Sequence, residues 1–449
     1  MYGRGTGPRS NYDGEMGIPE RLKRRLSGVP VLVWMVLIAL ALRLAVIPFD
    51  TIENLMDADH IHAWEQGNVA RALVAGQGFG SPFLSHQPSA IMPPVYTLIV
   101  AGIFLIFGVH TAHSIFVVHA FDCLVNALAC VPIFYVARRS FGERVARWAT
   151  WGWVFFPYGI YFAAAWAWST HLLLLCLYCL LYLAQDLEVS PRLGLWAGFG
   201  LLAGFAGLTE PSSLVVSAFL MGLATWRLAR AGKRWVVPAL VGGVVVAATL
   251  SPWLIRERVV FHRFIPMRDS MGLELWMGNN GYTTRFTSDQ IHPLHDAAEL
   301  AAYDKGELAY MDHKAQQANA YIAAHRGWYA WMCVRRAVYL WTGYWSFSKE
   351  YLAMEPADLA NIPFATSLTV VGLLGWWVLA RRRPFEAMRY GGVLFLFPMV
   401  YYFAHPEPYH MRPLDPLLVM LGCYGVLTLR GRAVMQLPKT NTEILALPE

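Results

Sequence analysis

The chain has 449 residues, 56% of them hydrophobic and only 15% charged, with a mean hydropathy of +0.39. Water-soluble domains carry roughly a quarter charged residues, so this composition excludes a soluble enzyme and places the chain in the membrane. The net charge of +6 sits in short Lys/Arg clusters between apolar stretches, which is how membrane topology is written and excludes a nucleic-acid-binding role.

Residues 1–28 form a polar tail ending in Arg21, Lys23, Arg24 and Arg25. The apolar stretch that follows is too long, and too poorly followed by small residues, for a cleaved signal peptide. It reads as a first helix running outward from a cytoplasmic N-terminus. Apolar windows follow at about 30–50, 112–137, 145–165, 170–186, 193–209, 212–229, 235–255, 364–381, 389–404 and 414–430, about ten crossings at about 20 residues each. The short basic connections Arg138-Arg139 to Arg147, Arg192, Arg227 to Arg234, Arg381 to Arg389, and Arg430 with Arg432 all fall inside in this count. The fold class is therefore all-α and polytopic. An N-terminal transmembrane module (29–255) holds a first external loop (51–111). A second external region (256–363) and C-terminal transmembrane helices (364–431) follow, before a cytoplasmic tail (432–449). Pro93 to Gly108 is too short for a full crossing and is expected to be interfacial or re-entrant; residues 60–75 are expected to lie along the membrane surface. In the second external region an amphipathic stretch is expected around Ala315–Ala337.

Five of the six cysteines fall in apolar windows, and Cys333 has no evident partner, so no disulfide framework is implied. The Cys176–Cys179 pair reads as helix packing rather than as a redox motif.

Chemistry concentrates in the first external loop, where Glu53, Asp57, Asp59, His60, His62 and Glu65 are crowded together. A carboxylate at the bilayer edge can act as a general base on a hydroxyl, and two carboxylates with histidines can instead hold a divalent cation. The competing reading is a solvated acidic loop. Ionisable residues within apolar windows, Arg43, His119, Asp122 and His171, are costly and thus candidates by default. Arg43 is placed to snorkel outward toward a lipid phosphate, whereas Asp122 serves equally as an interhelical hydrogen-bonding group. Glu210 reads as a turn residue facing the same compartment as Glu65. Near the last helix, His405, Glu407, His410, Arg412 and Asp415 crowd one turn; guanidinium and imidazole groups there suit a phosphate.

Several motifs carry a family resemblance. Trp64-Glu65 with Gly67, Ala70, Arg71, Leu73, Gly76, Gly78 and Phe79, followed by Pro93-Pro94, Tyr96 and Phe107-Gly108, resembles the first external loop of bacterial family 39 glycosyltransferases. These are relatives of protein O-mannosyltransferases within the GT-C superfamily. Ser251-Pro252-Trp253 with Arg256, Phe264-Ile265-Pro266, Leu275-Trp276 and Gly278-Asn279-Asn280, and the Pro413-Leu414-Asp415-Pro416 turn, are similar to later segments of those enzymes. The resemblance implies a GT-C-like fold and inverting transfer of a hexose, mannose foremost, from a polyprenyl-phosphate donor. The acceptor would be a glycan, lipid or protein on the external face of a bacterial inner membrane. Glu65, with Asp57 and Asp59 beside it, would supply the base. Arg43, His62, Arg256, Asn279, Asn280, His410 and Arg412 would bind substrate. Two positions depart from the pattern: Ser169-Thr170-His171 opens the fourth span where relatives carry an acid, and Met92 precedes the Pro-Pro pair where many carry Lys. An oligosaccharide ligase using a lipid-diphosphate donor, a lipid-linked-sugar flippase, and a non-enzymatic assembly protein are the alternatives.

Overall fold

The computed structural model describes residues 30–50, 64–83, 87–283, 291–345, 347, 349, 358–406 and 408–431. Asp57, Asp59 and His62 lie outside these residues. Regular structure among the described residues is helical, relieved by a single isolated bridge between Gly80 and Pro88. The chain is a multi-pass, all-α membrane protein.

Five described helices have the length and composition to cross a membrane: Ala112–Phe141 (turned at Ala129), Thr170–Leu187, Val236–Phe261, Leu359–Arg382 and Tyr409–Leu429. Val31–Leu44, Pro94–Phe107 and Leu193–Thr209 are apolar but shorter. Among the described residues three of the ten expected windows are interrupted. The first apolar window turns at Ala45-Val46, the third breaks before Pro157 and the ninth breaks at Pro398. Proline cannot donate to the preceding turn and ends the helix there. Pro252 and Pro363, by contrast, are carried within long helices, as membrane helices tolerate when neighbours satisfy the freed carbonyls.

Bare backbone lets the helices approach closely. A side chain at Gly200 would overlap the carbonyl of Gly242, and one at Gly375 would overlap the carbonyl of Leu421. These contacts seat Leu193–Thr209 on Val236–Phe261, and Asp358–Arg382 on Asp415–Leu429. In lipid, where apolar burial gives little net drive, such close packing supplies the association energy. The principal core collects Trp153, Tyr178, Trp196, Phe199 and Tyr390.

One end of the bundle carries the basic connections, knitted by ion pairs. The buried Glu188 carboxylate accepts from Arg389 Nε at 2.6 Å and from Arg227 at 2.7 Å. Arg139 meets Asp186 at 2.9 Å, and Arg383 donates to the Ser140 carbonyl.

At the other end a second apolar cluster, including Val69, Phe79, Phe83, Met92, Trp253, Met267, Leu273 and Tyr303, supports a polar layer. Helix Glu65–Val74 differs from the expected surface helix. Gln66, Gly67, Asn68, Val69, Ala70 and Ala72 are buried, and Asn68 donates to the Pro82 carbonyl. Its partner is helix Pro94–Phe107, whose Tyr96, Val100 and Phe104 share a core cluster with Ala70. The expected amphipathic stretch resolves into two helices, Glu307–Ala324 and Arg326–Thr342, separated at His325.

Candidate active site

Glu65 opens helix Glu65–Val74, where the first-turn N–H groups favour a carboxylate. Its Oε1 lies 3.4 Å from His292 Nε2, with both side chains largely buried. The Leu294 N–H donates to His292 Nδ1. A neutral imidazole accepting at Nδ1 carries its proton on Nε2, so His292 donates toward Glu65.

Arg268 is the cation of this layer. Its guanidinium lies 3.1 Å from Glu274 and 3.8 Å from Glu210, and Glu65 is within its electrostatic reach. Burial works against the charge, but Glu274 and Glu210 together raise the Arg268 pKa. The carboxyl of Glu210 moves upward for the opposite reason, burial outweighing the pull of Arg268. Arg268 Nε is buried without a hydrogen-bond partner among the described residues. It is therefore a donor left over on a guanidinium whose other nitrogens meet Glu274 and Glu210. The preceding Met267 adopts a φ of 81°, and its carbonyl is pinned by the Trp253 indole at 2.9 Å. A left-handed Met is uncommon and costs energy, and such strain persists where the surroundings fix it.

His405 reaches the same group from the C-terminal helices, with Nδ1 3.1 Å from Glu274 Oε2. His410 stacks on Tyr401 with ring centroids 3.8 Å apart, and Arg268 is among the charges acting on it. Five chain segments thus deliver Glu65, Glu210, Arg268 with Glu274, His292, and His405 with His410 to one polar layer. Of the residues singled out in the sequence for catalysis or binding, it brings together Glu65, His405 and His410.

The remaining described candidates sit elsewhere. Arg43 is fully buried rather than at the interface. Its nitrogens donate to Asn126 Oδ1 and to the carbonyls of Ala39, Trp153 and Val154. Arg256 clamps the first loop, donating to the carbonyls of Phe79 and Ser89 and pairing with Glu257 at 2.7 Å. Asn279 and Asn280 close the end of helix Met271–Gly278. Asn279 bridges the Leu275 and Phe403 carbonyls and accepts from Arg336, and Asn280 caps Tyr282 and Thr283. Arg412 pairs with Asp415 at 3.3 Å and lies over Tyr158. Arg43, Arg256 and Asn279 meet the demand of buried carbonyls for a donor, and Asn280 that of two backbone N–H groups for an acceptor.

Arg268, Glu274 and His292 were missed by sequence reading. The available signal was the Phe264-Ile265-Pro266 motif, which ends two residues before Arg268. Among the described residues no three His, Cys, Asp or Glu side chains converge with metal-ligand geometry. Glu53, Asp57, Asp59, His60 and His62, the other members of the cation set considered with Glu65, are outside the described residues.

No protein-family model matches the chain, and no curated protein matches it in sequence. Solved structures similar to it include ArnT from Cupriavidus metallidurans bound to undecaprenyl phosphate, at 14% identity and a TM-score of 0.41, covering 88% of this chain and 77% of that one. The oligosaccharyltransferase AglB from Archaeoglobus fulgidus, in complex with an inhibitory peptide and a dolichol-phosphate, aligns at 13% identity and a TM-score of 0.49, over 96% of this chain and 53% of that one. An Archaeoglobus fulgidus oligosaccharyltransferase tethered with an acceptor peptide gives 12% identity and a TM-score of 0.48, over 90% of this chain and 49% of that one. The chain spans about half the length of these archaeal proteins.

Proposed function

We propose that this chain is a GT-C-type membrane glycosyltransferase that moves a hexose, mannose foremost, from a polyprenyl-phosphate donor to an acceptor hydroxyl, with inversion at the anomeric carbon. The reading rests chiefly on one observation: the Glu65 carboxylate, 3.4 Å from His292 Nε2, shares a polar layer with a guanidinium whose Nε has no partner among the described residues, at the end of the bundle opposite the basic connections. By the charge asymmetry of the connections that end is the external, periplasmic one, with both termini cytoplasmic.

Glu65 takes the proton of the acceptor hydroxyl as its oxygen attacks the anomeric carbon, and the bond from that carbon to the phosphate oxygen breaks. The leaving lipid phosphate is already a weak base, so it needs a charge partner rather than a proton. Arg268 Nε is the donor best placed to supply one, with His410 and His405 beside it. Glu210 and Glu274 hold the guanidinium in plane and keep it charged. His292 keeps one Glu65 oxygen occupied and leaves the other for the acceptor. Asp57 and Asp59, from the same stretch of sequence, are the alternative carboxylates for the base in our reading, and His62 is a further substrate-binding candidate.

The test is transfer of radiolabelled sugar from polyprenyl-phosphate mannose, glucose or arabinose to membrane extracts, comparing wild type with Glu65→Gln at equal expression. Label transferred by wild type and lost in the variant supports the reading. Equal transfer by both removes Glu65 as base. Transfer from a lipid-diphosphate oligosaccharide alone would make the chain a ligase instead.

A further inference from the structure

The polar layer has two sides, and each is anchored by a residue outside it. On the Glu65 side the anchor is the preceding residue. The Trp64 indole donates to the Ala167 carbonyl at 3.0 Å and folds over Gly67, where any side chain would overlap it. On the other side His405 meets Glu274, its Nδ1 lying 3.2 Å from the Glu274 carbonyl as well as 3.1 Å from the carboxylate. These two groups come from segments distant in sequence, and they meet only if those segments are locked together.

Helix Met271–Gly278 carries Glu274 and ends one turn later, and helix Met399–Phe403 ends two residues before His405. The two ends touch through bare backbone: a side chain at Gly278 would overlap the Ala404 carbonyl. Asn279 Nδ2 donates to the Leu275 carbonyl at 2.9 Å on one side and to the Phe403 carbonyl at 3.1 Å on the other. Arg336, fully buried on helix Arg326–Thr342, closes the ring. Its Nη1 donates to the Phe403 carbonyl at 3.2 Å, and its Nη2 to Asn279 Oδ1 at 3.1 Å and to the Gly278 carbonyl. Its Nε makes no bond among the described residues. None of these partners is a carboxylate. The last carbonyls of a helix have no partner within it and carry partial negative charge, and Arg336 stands where two helix ends converge. Burial draws its pKa down to about 10, so the guanidinium is still charged at neutral pH.

We propose that Arg336 is the positioning residue that sets His405 against Glu274, and so fixes the carboxylate that meets Arg268. Its bonds are to Asn279 and to backbone carbonyls, and it acts through them. The inference deepens the reading of Arg268 and His405 as partners of the leaving phosphate and rests on it. Misplacing a group of the site by about 1 Å costs on the order of 100-fold in rate. Charge grows on the leaving phosphate only as the bond breaks, so the loss should fall on kcat.

The experiment compares full-length wild type with Arg336→Met, Arg336→Lys, Asn279→Ala and His405→Ala, and with Arg336→Met and Asn279→Ala each combined with His405→Ala. Each is purified in detergent and followed by kinetics with polyprenyl-phosphate mannose, by thermal midpoint and by hydrogen–deuterium exchange. Arg336→Met should lower kcat about 100-fold with the donor KM within about twofold of wild type. Arg336→Lys should restore little of it, because an ammonium cannot span these oxygens from one plane. In the His405→Ala background Arg336→Met should cost no more than about threefold, since both changes cut one connection. In Arg336→Met the amides of residues 271–283 and 399–405 should exchange about tenfold faster, while those of residues 65–74, anchored by Trp64, stay as in wild type. Asn279→Ala leaves Arg336 in place and carries the same test if Arg336→Met does not fold, with a loss of about tenfold that disappears in the His405→Ala background. A Lys variant as active as wild type, equal losses in the two backgrounds, unaltered exchange at both helix ends, or a lowered midpoint with kcat per folded molecule retained would each overturn the proposal. If wild type transfers no sugar, the reading of the function falls, and the exchange pattern still decides the positioning role.

Discussion

The two ends of the helical bundle are both rich in charge, and they use it in opposite ways. At the basic end cations are matched to acids at short range: Glu188 is shared by Arg389 and Arg227, and Arg139 meets Asp186. At the other end Arg268 meets Glu274 and Glu210, with Glu65 within its electrostatic reach, and its Nε faces no partner among the described residues. A buried ion pair whose bonds are all made is a structural lock. A charged group with a donor in hand is available for an incoming ligand.

The largest effect should come from Glu65→Gln, about 1,000-fold in kcat, with the thermal midpoint unmoved. A variant that instead unfolds early would make Glu65 a lock like Glu188. The reverse pattern belongs to Glu188→Ala. It leaves the buried Arg389 guanidinium without its carboxylate, and the half-exposed Arg227 with it, which costs about 3 kcal/mol of stability, read as a lowered melting midpoint in detergent with kcat per folded molecule retained. Arg268→Ala should lower kcat about 50-fold, and Arg268→Lys should restore little of it, because an ammonium cannot meet two carboxylates and a phosphate from one plane. An equally active Lys variant would reduce Arg268 to a counter-charge.

The smallest effect concerns Asp269, next to Arg268. Burial, and then the nearby Glu307 carboxylate, push its pKa up to about 7. A carboxyl raised in the folded state contributes stability that is full below its unfolded value near 4 and is lost as pH rises through 7. Asp269→Asn should abolish that decline between pH 5 and 8, leaving the variant more stable at pH 8 by about 1 kcal/mol, measured as melting midpoint against pH.

Most of the membrane architecture was legible in the chain because an apolar window of given length admits few structures in lipid. The breaks before Pro157 and at Pro398 were written there too, though a hydropathy window averages across them. Within the site Glu65, His405 and His410 stood out because each lies in a dense polar run. Arg268, Glu274 and His292 are isolated polar residues in a long, mixed region, and only folding makes them neighbours. Arg43, Arg256 and Asn279 were conspicuous for the opposite reason. Their polarity answers to backbone carbonyls distant in sequence, a demand that no local pattern records. Helix Glu65–Val74 has helical spacing, but that spacing did not disclose burial on nearly every side, which required the partner helix Pro94–Phe107.

The indole of Trp64 resting on the bare backbone of Gly67 makes these two positions a single unit of variation. A side chain enters at 67 only if the ring at 64 gives way, and losing the ring surrenders the bond to Ala167. Across descendants of this sequence the two positions are therefore expected to change together or not at all, a signature that could be sought without assaying any of them.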